Sequence, residues 1–290
     1  MLNPGFDSEI VPYTRHRFDW LDVFSHGESG TLWVSIKPMM RPCFTLGLLK
    51  ELNTLQLLIS SHQEAYAYYV LSSEFDGVFS LGGDLEYFHE CVTNRDREGL
   101  IEYLTLCLKV IHGSHDRRRV ERIVLVDGMA IGGAFETALA ADTIIAEDGA
   151  SFYFPEEKYN LFPAMGGYYY LKHRIGHTQT MRIIRSGRVY TAREMWDLGV
   201  IDGLVARGHG AKAIVSHINR SNRNHNSYAG YRYMDSLHPG PSYQELLSLG
   251  MRWVDSVLSL TDREKALLRR VIDQQNKKFP VYRTHCQSTG

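Results

Sequence analysis

The chain has 290 residues, 44% of them hydrophobic and 22% charged, the balance of an ordinary globular protein rather than a disordered one. Lys and Arg number 32 against 33 Asp and Glu, so no basic excess points to nucleic acid or to a membrane surface. No run reaches the ~18 uncharged apolar residues of a membrane span. No basic head followed by an apolar stretch marks a signal peptide. Cys43, Cys91, Cys107 and Cys286 form no CxxC pair, which argues against a zinc knuckle and suits a reducing compartment. These features lead us to expect a cytoplasmic, soluble protein without a resident metal or cofactor.

Residues 1–30, with Pro4, Pro12 and many charges, read as an irregular N-terminal segment. Thr31 to Lys37 reads as a strand, and Phe44 to Ser61 carries apolar residues at helical spacing. Ala65 to Ser72 is a second strand, followed by the glycine turn Phe79-Ser-Leu-Gly-Gly-Asp-Leu85 and helical patterns at Leu85–Cys91 and Leu100–Ile111. Ile123 to Val126 is a buried type of strand that runs into Asp127-Gly-Met-Ala-Ile-Gly-Gly133 and an apolar helix over Ala134–Ala141. Short strands follow at Thr143–Ala146 and Ser151–Phe154, then a Pro/Gly loop over Leu161–Gly167. Helices are expected at Tyr168–Ile175, Thr178–Ser186 and Ala192–Leu198, and a last strand ends at Val205. Alternating strands and helices over 31–205 predict an α/β core with a largely parallel sheet. Residues 206–290 read as a helical C-terminal region, clearest at Leu246–Leu260 and Asp262–Gln275. Within it, 206–250 is polar enough to suggest either a lid or a docking segment.

The segment Gly132-Gly-Ala-Phe-Glu136 carries the strongest chemical signal. A strand ends, glycines turn the chain and a helix begins, so unpaired backbone N–H groups face a site where an oxyanion could develop. Glu136 lies three residues after Gly133, on the same face of the first turn. Its neighbours are otherwise apolar, and burial would raise its pKa into a range useful for acid–base work. The plainer reading is a carboxylate that caps a helix start, and spacing does not separate the two. The Leu81-Gly-Gly-Asp84 turn offers a second donor, from Leu81 or Gly82. Glu156 is a candidate second carboxylate, whereas Glu157, beside Lys158, reads as solvated. The thirteen histidines lack HExxH spacing, no G-x-S-x-G elbow is present, and no G-x-G-x-x-G or P-loop marks a nucleotide site.

Four elements in order, Phe79-Ser-Leu-Gly-Gly-Asp-Leu, Val126-Asp-Gly-Met-Ala-Ile-Gly-Gly-Ala-Phe-Glu, Ala141-Asp-Thr-Ile-Ile-Ala and Phe154-Pro-Glu…Phe162-Pro-Ala-Met-Gly-Gly, resemble the enoyl-CoA hydratase/isomerase (crotonase) superfamily. The resemblance implies a crotonase-like ββα spiral that binds thioesters, with helices that build a trimer or hexamer. It maps oxyanion-hole donors onto Leu81 (or Gly82) and Gly133, catalytic carboxylates onto Glu136 and Glu156, and neighbouring substrate contacts onto Gly83 and Gly132.

A closer resemblance, carried by Arg41-Pro-Cys-Phe44, Gly132-Gly-Ala-Phe-Glu-Thr-Ala-Leu139, Asn160-Leu-Phe-Pro-Ala-Met-Gly166 and Trp253-Val-Asp255, is to the diffusible-signal-factor synthases. Ala134 and Ala164 stand where that pattern has glycines. This resemblance implies dehydration of a 3-hydroxyacyl thioester on acyl carrier protein, then thioester hydrolysis to a cis-2-unsaturated fatty acid used in quorum sensing. Met165 and Trp253 would line the acyl pocket, Trp253 having core anchorage as its rival role. A sensor kinase receiver domain is an implied partner. The alternatives are a hydratase or isomerase acting on acyl-CoA, a catalytically silent regulatory subunit, and an α/β protein whose Glu136 only caps a helix.

Overall fold

A computed structural model describes residues 9–10, 18–38, 41–61, 66–113, 120–237 and 240–279. The elements, in chain order, are β1 (Glu9–Ile10), β2 (Leu21–His26), β3 (Thr31–Ile36), α1 (Leu46–Ser61), β4 (Tyr68–Ser73), β5 (Val78–Ser80), α2 (Leu85–Asn94), α3 (Arg97–His112), β6 (Glu121–Val126), β7 (Met129–Ile131) and α4 (Gly133–Leu139). They continue with β8 (Thr143–Glu147), β9 (Ser151–Tyr153), α5 (Gly167–Ser186), β10 (Tyr190–Thr191), α6 (Ala192–Asp197), β11 (Gly203–Val205), α7 (Gly210–Arg223), α8 (His225–Ser236), α9 (Tyr243–Leu258) and α10 (Asp262–Lys278).

Successive turns of the chain repeat one unit. A strand joins a large sheet, a short strand joins a small sheet, and a helix or helical turn returns the chain. The large sheet has the order β1-β2-β3-β4-β6-β8-β11, and the small one β10-β9-β7-β5. Thus β4, β6 and β8 are neighbours in one sheet while their followers β5, β7 and β9 are neighbours in the other. Pairing from β3 to β11 in the large sheet is parallel. This is the ββα spiral, with α7–α10 as C-terminal helices.

The central strands explain their own burial. Every residue of β3, β4 and β6 is buried, as expected for parallel strands covered on both faces. Leu32, Val34 and Ile36 enter the main core with α1 and α3. Trp33, with Val70, Ile123 and Leu125, points to the opposite face, where Ile214 and Ile218 of α7 cover it. α4 sits over the small sheet through Phe135, whose ring stacks on Phe154 at 4.9 Å and tilts against Phe152 at 5.2 Å. All three rings are at most 1% exposed, and each such burial is worth ~2–3 kcal/mol.

Three sequence readings need correction. The segment before residue 31 is not irregular throughout, since β1 pairs with β2 and β2 pairs antiparallel with β3. The glycine turns at 79–85 and 127–133 each contain a short strand, β5 and β7. The helices expected at 168–175 and 178–186 are one element broken at Gly176, where φ is 74°. The segment 206–250 holds α7 and α8. α7 packs on the sheet, whereas α8 buries no residue and leaves Tyr231, Tyr233, Met234 and Leu237 exposed. His225 is exposed as read, and His238 lies outside the described residues.

The C-terminal helices share the spiral's core. Leu246, Trp253, Val254 and Val257 of α9 belong to the main cluster, and α10 packs against α2. Among the described residues, no helix is long and apolar enough to cross a membrane.

Close backbone approach between the sheet layers requires glycine at 128. A Cβ there would lie 2.1 Å from the Gly77 carbonyl carbon and 2.3 Å from Val78 N, where only backbone can move aside. Gly128→Ala is expected to part β5 from β7 and to cost about 3 kcal/mol of stability, measurable by urea unfolding.

Candidate active site

The two chemically marked segments meet at one cavity. Its wall includes Gly83, Gly132, Gly133, Glu136, Tyr153, Glu156 and Met165, and its apolar part is made by Phe88, Trp253, Val257, Leu260, Leu268 and Val271.

Glu136 is buried in the first turn of α4, 2% exposed. Its Oε1 accepts hydrogen bonds from the backbone N–H of Met165 at 2.9 Å and of Gly167 at 2.8 Å. These amides come from the loop and first turn that open α5, so a helix N-terminus faces the carboxylate. Gly167 has to be glycine, because a Cβ would stand 2.9 Å from Glu136 Cγ. Burial pushes the Glu136 carboxyl up to about 7 against the pull of those two donors.

Glu156 follows β9 and Pro155 at the start of a short 3-10 turn (Glu156–Tyr159). The residue is half-buried, yet Oε2 is shielded from solvent and has no hydrogen-bond partner. Burial, and next the charge of Glu136, push its carboxyl up to about 8. Oε1 lies against Gly132, where a Cβ would come within 2.6 Å. Gly132 also has φ 52°, so both conformation and space demand glycine there. Glu157 is exposed, in keeping with a solvated role.

The N–H groups of Leu81 and Gly82, the positions expected to supply the first donor, both have partners within the fold. The Leu81 N–H donates to Pro42 O at 2.6 Å, and the Gly82 N–H donates to Ser80 Oγ at 3.1 Å. Both are spent inside the fold, which removes Leu81 and Gly82 as donors to a ligand, although the Leu81 side chain lines the cavity. The Gly83 N–H has no partner among the described residues, and neither has that of Gly133. The two sit together: a Cβ on Gly133 would be 3.7 Å from Gly83 N. The Phe44 N–H holds the Gly82 carbonyl at 2.8 Å. That contact fixes the peptide plane whose other end is the Gly83 N–H.

Asp84, next in the chain, caps α2 by accepting the Tyr87 N–H at 3.3 Å, and it pairs with Arg41 at 3.0 Å. Met165 and Trp253 both stand on the cavity wall. Trp253 is also packed edge-on to Phe88 at 5.0 Å, so its wall and core roles coincide. Phe88, Leu268 and Val271 are wall residues that sequence reasoning missed. Nothing in a single amphipathic helix says which of its apolar residues meets a cavity. Tyr66, Tyr68, Tyr69 and Tyr170 are buried, Tyr168 and Tyr169 partly so.

Among the described residues, no group of three or more His, Cys, Asp or Glu side chains is placed to hold a metal ion. Cys43, Cys91 and Cys107 are buried free thiols. What the cavity offers is general acid–base chemistry by two carboxyls beside two backbone donors.

The enoyl-CoA hydratase/isomerase family profile matches residues 36–241, and the chain belongs to that family. An enoyl-CoA isomerase/hydratase of Zymoseptoria tritici is 29% identical over 174 residues, covering 58% of this chain and 54% of that protein. A carnitinyl-CoA dehydratase of Salmonella arizonae is 34% identical over 131 residues, covering 39% and 50%. These alignments therefore span about half the length of each relative. An enoyl-CoA hydratase of Bacillus halodurans superposes with a TM-score of 0.74 at 20% identity, over 87% of this chain and 100% of that one, a likeness of fold.

Glu136 and Glu156 hold protons more tightly in the fold than in the unfolded chain. The stability this gives is complete below the ordinary value of 4.5 and is lost as pH rises through about 7 and 8. Glu156→Gln, neutral throughout, is expected to melt above wild type at about pH 9 and level with it at about pH 4.5. Thermal melts at those two pH values check this.

Proposed function

We propose that the chain dehydrates a 3-hydroxyacyl thioester carried on acyl carrier protein and then hydrolyses the product thioester, releasing a cis-2-unsaturated fatty acid signal. The observation that carries the acid–base half is the pair of raised-pKa carboxyls, Glu136 and Glu156, in one cavity beside the free N–H groups of Gly83 and Gly133. The carrier-protein and hydrolase half rests on the sequence resemblance set out above.

The roles follow from how each carboxyl is held. Two N–H donors favour the Glu136 anion. Glu156, without a partner on Oε2 and with Glu136 as a neighbouring charge, keeps its proton at neutral pH. The thioester oxygen would lie on Gly83 and Gly133 N–H, so that charge developing on it as the α-carbon loses its proton is stabilised. Glu136 takes the α-proton. The C–H electrons form the new double bond as the β-carbon–oxygen bond breaks, and Glu156 gives its proton to the departing hydroxyl, which leaves as water. In the second reaction Glu156, now ionised, takes a proton from the water that adds to the thioester carbonyl, the same two N–H groups hold the tetrahedral oxyanion, and Glu136 returns its proton to the leaving thiol. The acyl tail would run among Phe88, Trp253, Val257, Leu268 and Val271, with Met165 near the reacting end. Assembly as a homotrimer or hexamer belongs to the same proposal, with the apolar side chains of α8 as surface to be covered. So does docking of a sensor kinase receiver domain. Arg182, Arg185 and Arg188 are exposed and available to an acidic carrier protein.

The relatives, an enoyl-CoA isomerase/hydratase and a carnitinyl-CoA dehydratase, favour a second reading: hydration or isomerisation of an enoyl-CoA by the same residues. Purified protein incubated with 3-hydroxydodecanoyl acyl carrier protein, with products read by mass spectrometry, separates the two. Free cis-2-unsaturated acid supports the proposal. Turnover of the CoA ester alone, without release of free acid, selects the second reading.

Glu136→Gln and Glu156→Gln are each expected to lower kcat by roughly 100-fold or more. The kcat/KM profile of the wild type is expected to rise as Glu136 ionises near 7 and to fall as Glu156 ionises near 8, checked by initial rates across that range.

A further inference from the structure

Tyr103 lies in the middle of α3, is 0% exposed and is not among the residues that line the cavity of the candidate site. Its hydroxyl nevertheless stands at the junction of the two backbone segments that set the first oxyanion donor. It donates to Phe44 O at 2.5 Å and accepts from Asp84 N at 3.0 Å. The same Phe44 supplies the N–H that holds the Gly82 carbonyl, and the same Asp84 directly follows Gly83. One hydroxyl thus ties the strand-like segment at Phe44 to the turn at Gly83 on both sides of the peptide that carries the free N–H.

The ring is held in turn. It meets Phe88 edge-on at 4.9 Å and stacks on Tyr87 at 5.7 Å. Phe88 leaves no room for a side chain at residue 83, where a Cβ would lie 2.7 Å from its ring. Burial raises the phenol well above its ordinary value, so the hydroxyl stays protonated and keeps its donor role over the working pH range.

We infer that Tyr103 is a positioning residue for the oxyanion hole: its hydroxyl fixes the Gly82–Gly83 peptide so that the Gly83 N–H is presented beside that of Gly133. It touches no substrate atom and acts only through Phe44 and Asp84. The inference rests on the reading of Gly83 and Gly133 as thioester-oxygen donors.

Tyr103→Phe keeps the ring and removes only the clasp. With the full chain and the thioester the wild type turns over, the variant is expected to lose roughly tenfold or more in kcat, part of the penalty for losing a whole donor, with KM within about twofold and the pH profile unmoved. A 2,4-hexadienoyl thioester on the same carrier gives a readout that loss of stability alone would not move. Its absorption shifts to the red when the carbonyl is polarised, and the shift is expected in wild type and diminished in Tyr103→Phe at saturation. Glu136→Gln, which leaves the clasp in place, should keep the shift while losing turnover. An equal shift in wild type and Tyr103→Phe, or a kcat loss matched by loss of folded protein in thermal melts, overturns the inference alone. Absence of the shift in wild type overturns the donor reading and this inference with it.

Discussion

The structure turns on one electrostatic compromise: an ionisable carboxyl, Glu136, is almost fully buried in the wall of a cavity and is held there by two backbone amides. An unpaired carboxylate in such a place would cost several kcal/mol, and the fold offsets this with the N–H groups of Met165 and Gly167. Those donors come from a segment about thirty residues further along the chain, so α4 and the start of α5 must dock against each other for either to be stable. α4 packs directly on α5, and Gly167 at the start of α5 lies close to Phe154, whose ring stacks on Phe135 of α4. A second carboxyl, Glu156, lines the same cavity, and burial, with the charge of Glu136 next, keeps it protonated near neutrality.

The backbone donors obey the same economy of space. The spiral stacks β5, β7 and β9, so the turns after β5 and β7 end side by side, each leading into a helix. Wherever these turns touch, side chains are excluded: by Glu156 at Gly132, by Ile131 O at Gly82, by Phe88 at Gly83. The glycines in this region therefore record contact distances as much as backbone angles. In the small sheet the strands are only two or three residues long, and their position is set by these contacts more than by their own ladders.

Much of this was legible in the sequence. The continuous apolar runs at 31–37 and 123–126 gave the doubly covered strands, and the helical spacing at 246–260 gave α9. Glu136 could be picked out as a carboxylate among apolar neighbours, and Glu156 by its place after a short strand and by the Phe154-Pro-Glu element of the resemblance. What stayed hidden depended on long-range pairing. β2 alternates too weakly to declare itself before its partner β3 is known, and β5 and β7 are shorter than any periodicity. The misplacement of the first oxyanion donor has the same origin. Leu81, Gly82 and Gly83 differ only in where their N–H groups go, and that is decided by Pro42, Ser80 and Phe44 in space. Tyr103 carried no local signal at all.

The cavity is assembled from two parts of the chain with different duties. The peptides and carboxyls lie between residues 83 and 167, in the spiral, whereas much of the apolar wall comes from Trp253 and Val257 of α9 and Leu268 and Val271 of α10. α10 reaches back to the spiral through Asn276, which donates to Glu86 at 2.6 Å, and Glu86 in turn pairs with Arg41 at 2.8 Å. Depth and shape of the pocket can therefore drift by substitution on two terminal helices while the reacting geometry stays fixed. A lineage built this way can reshape its pocket without disturbing the carboxyls and backbone donors that line it.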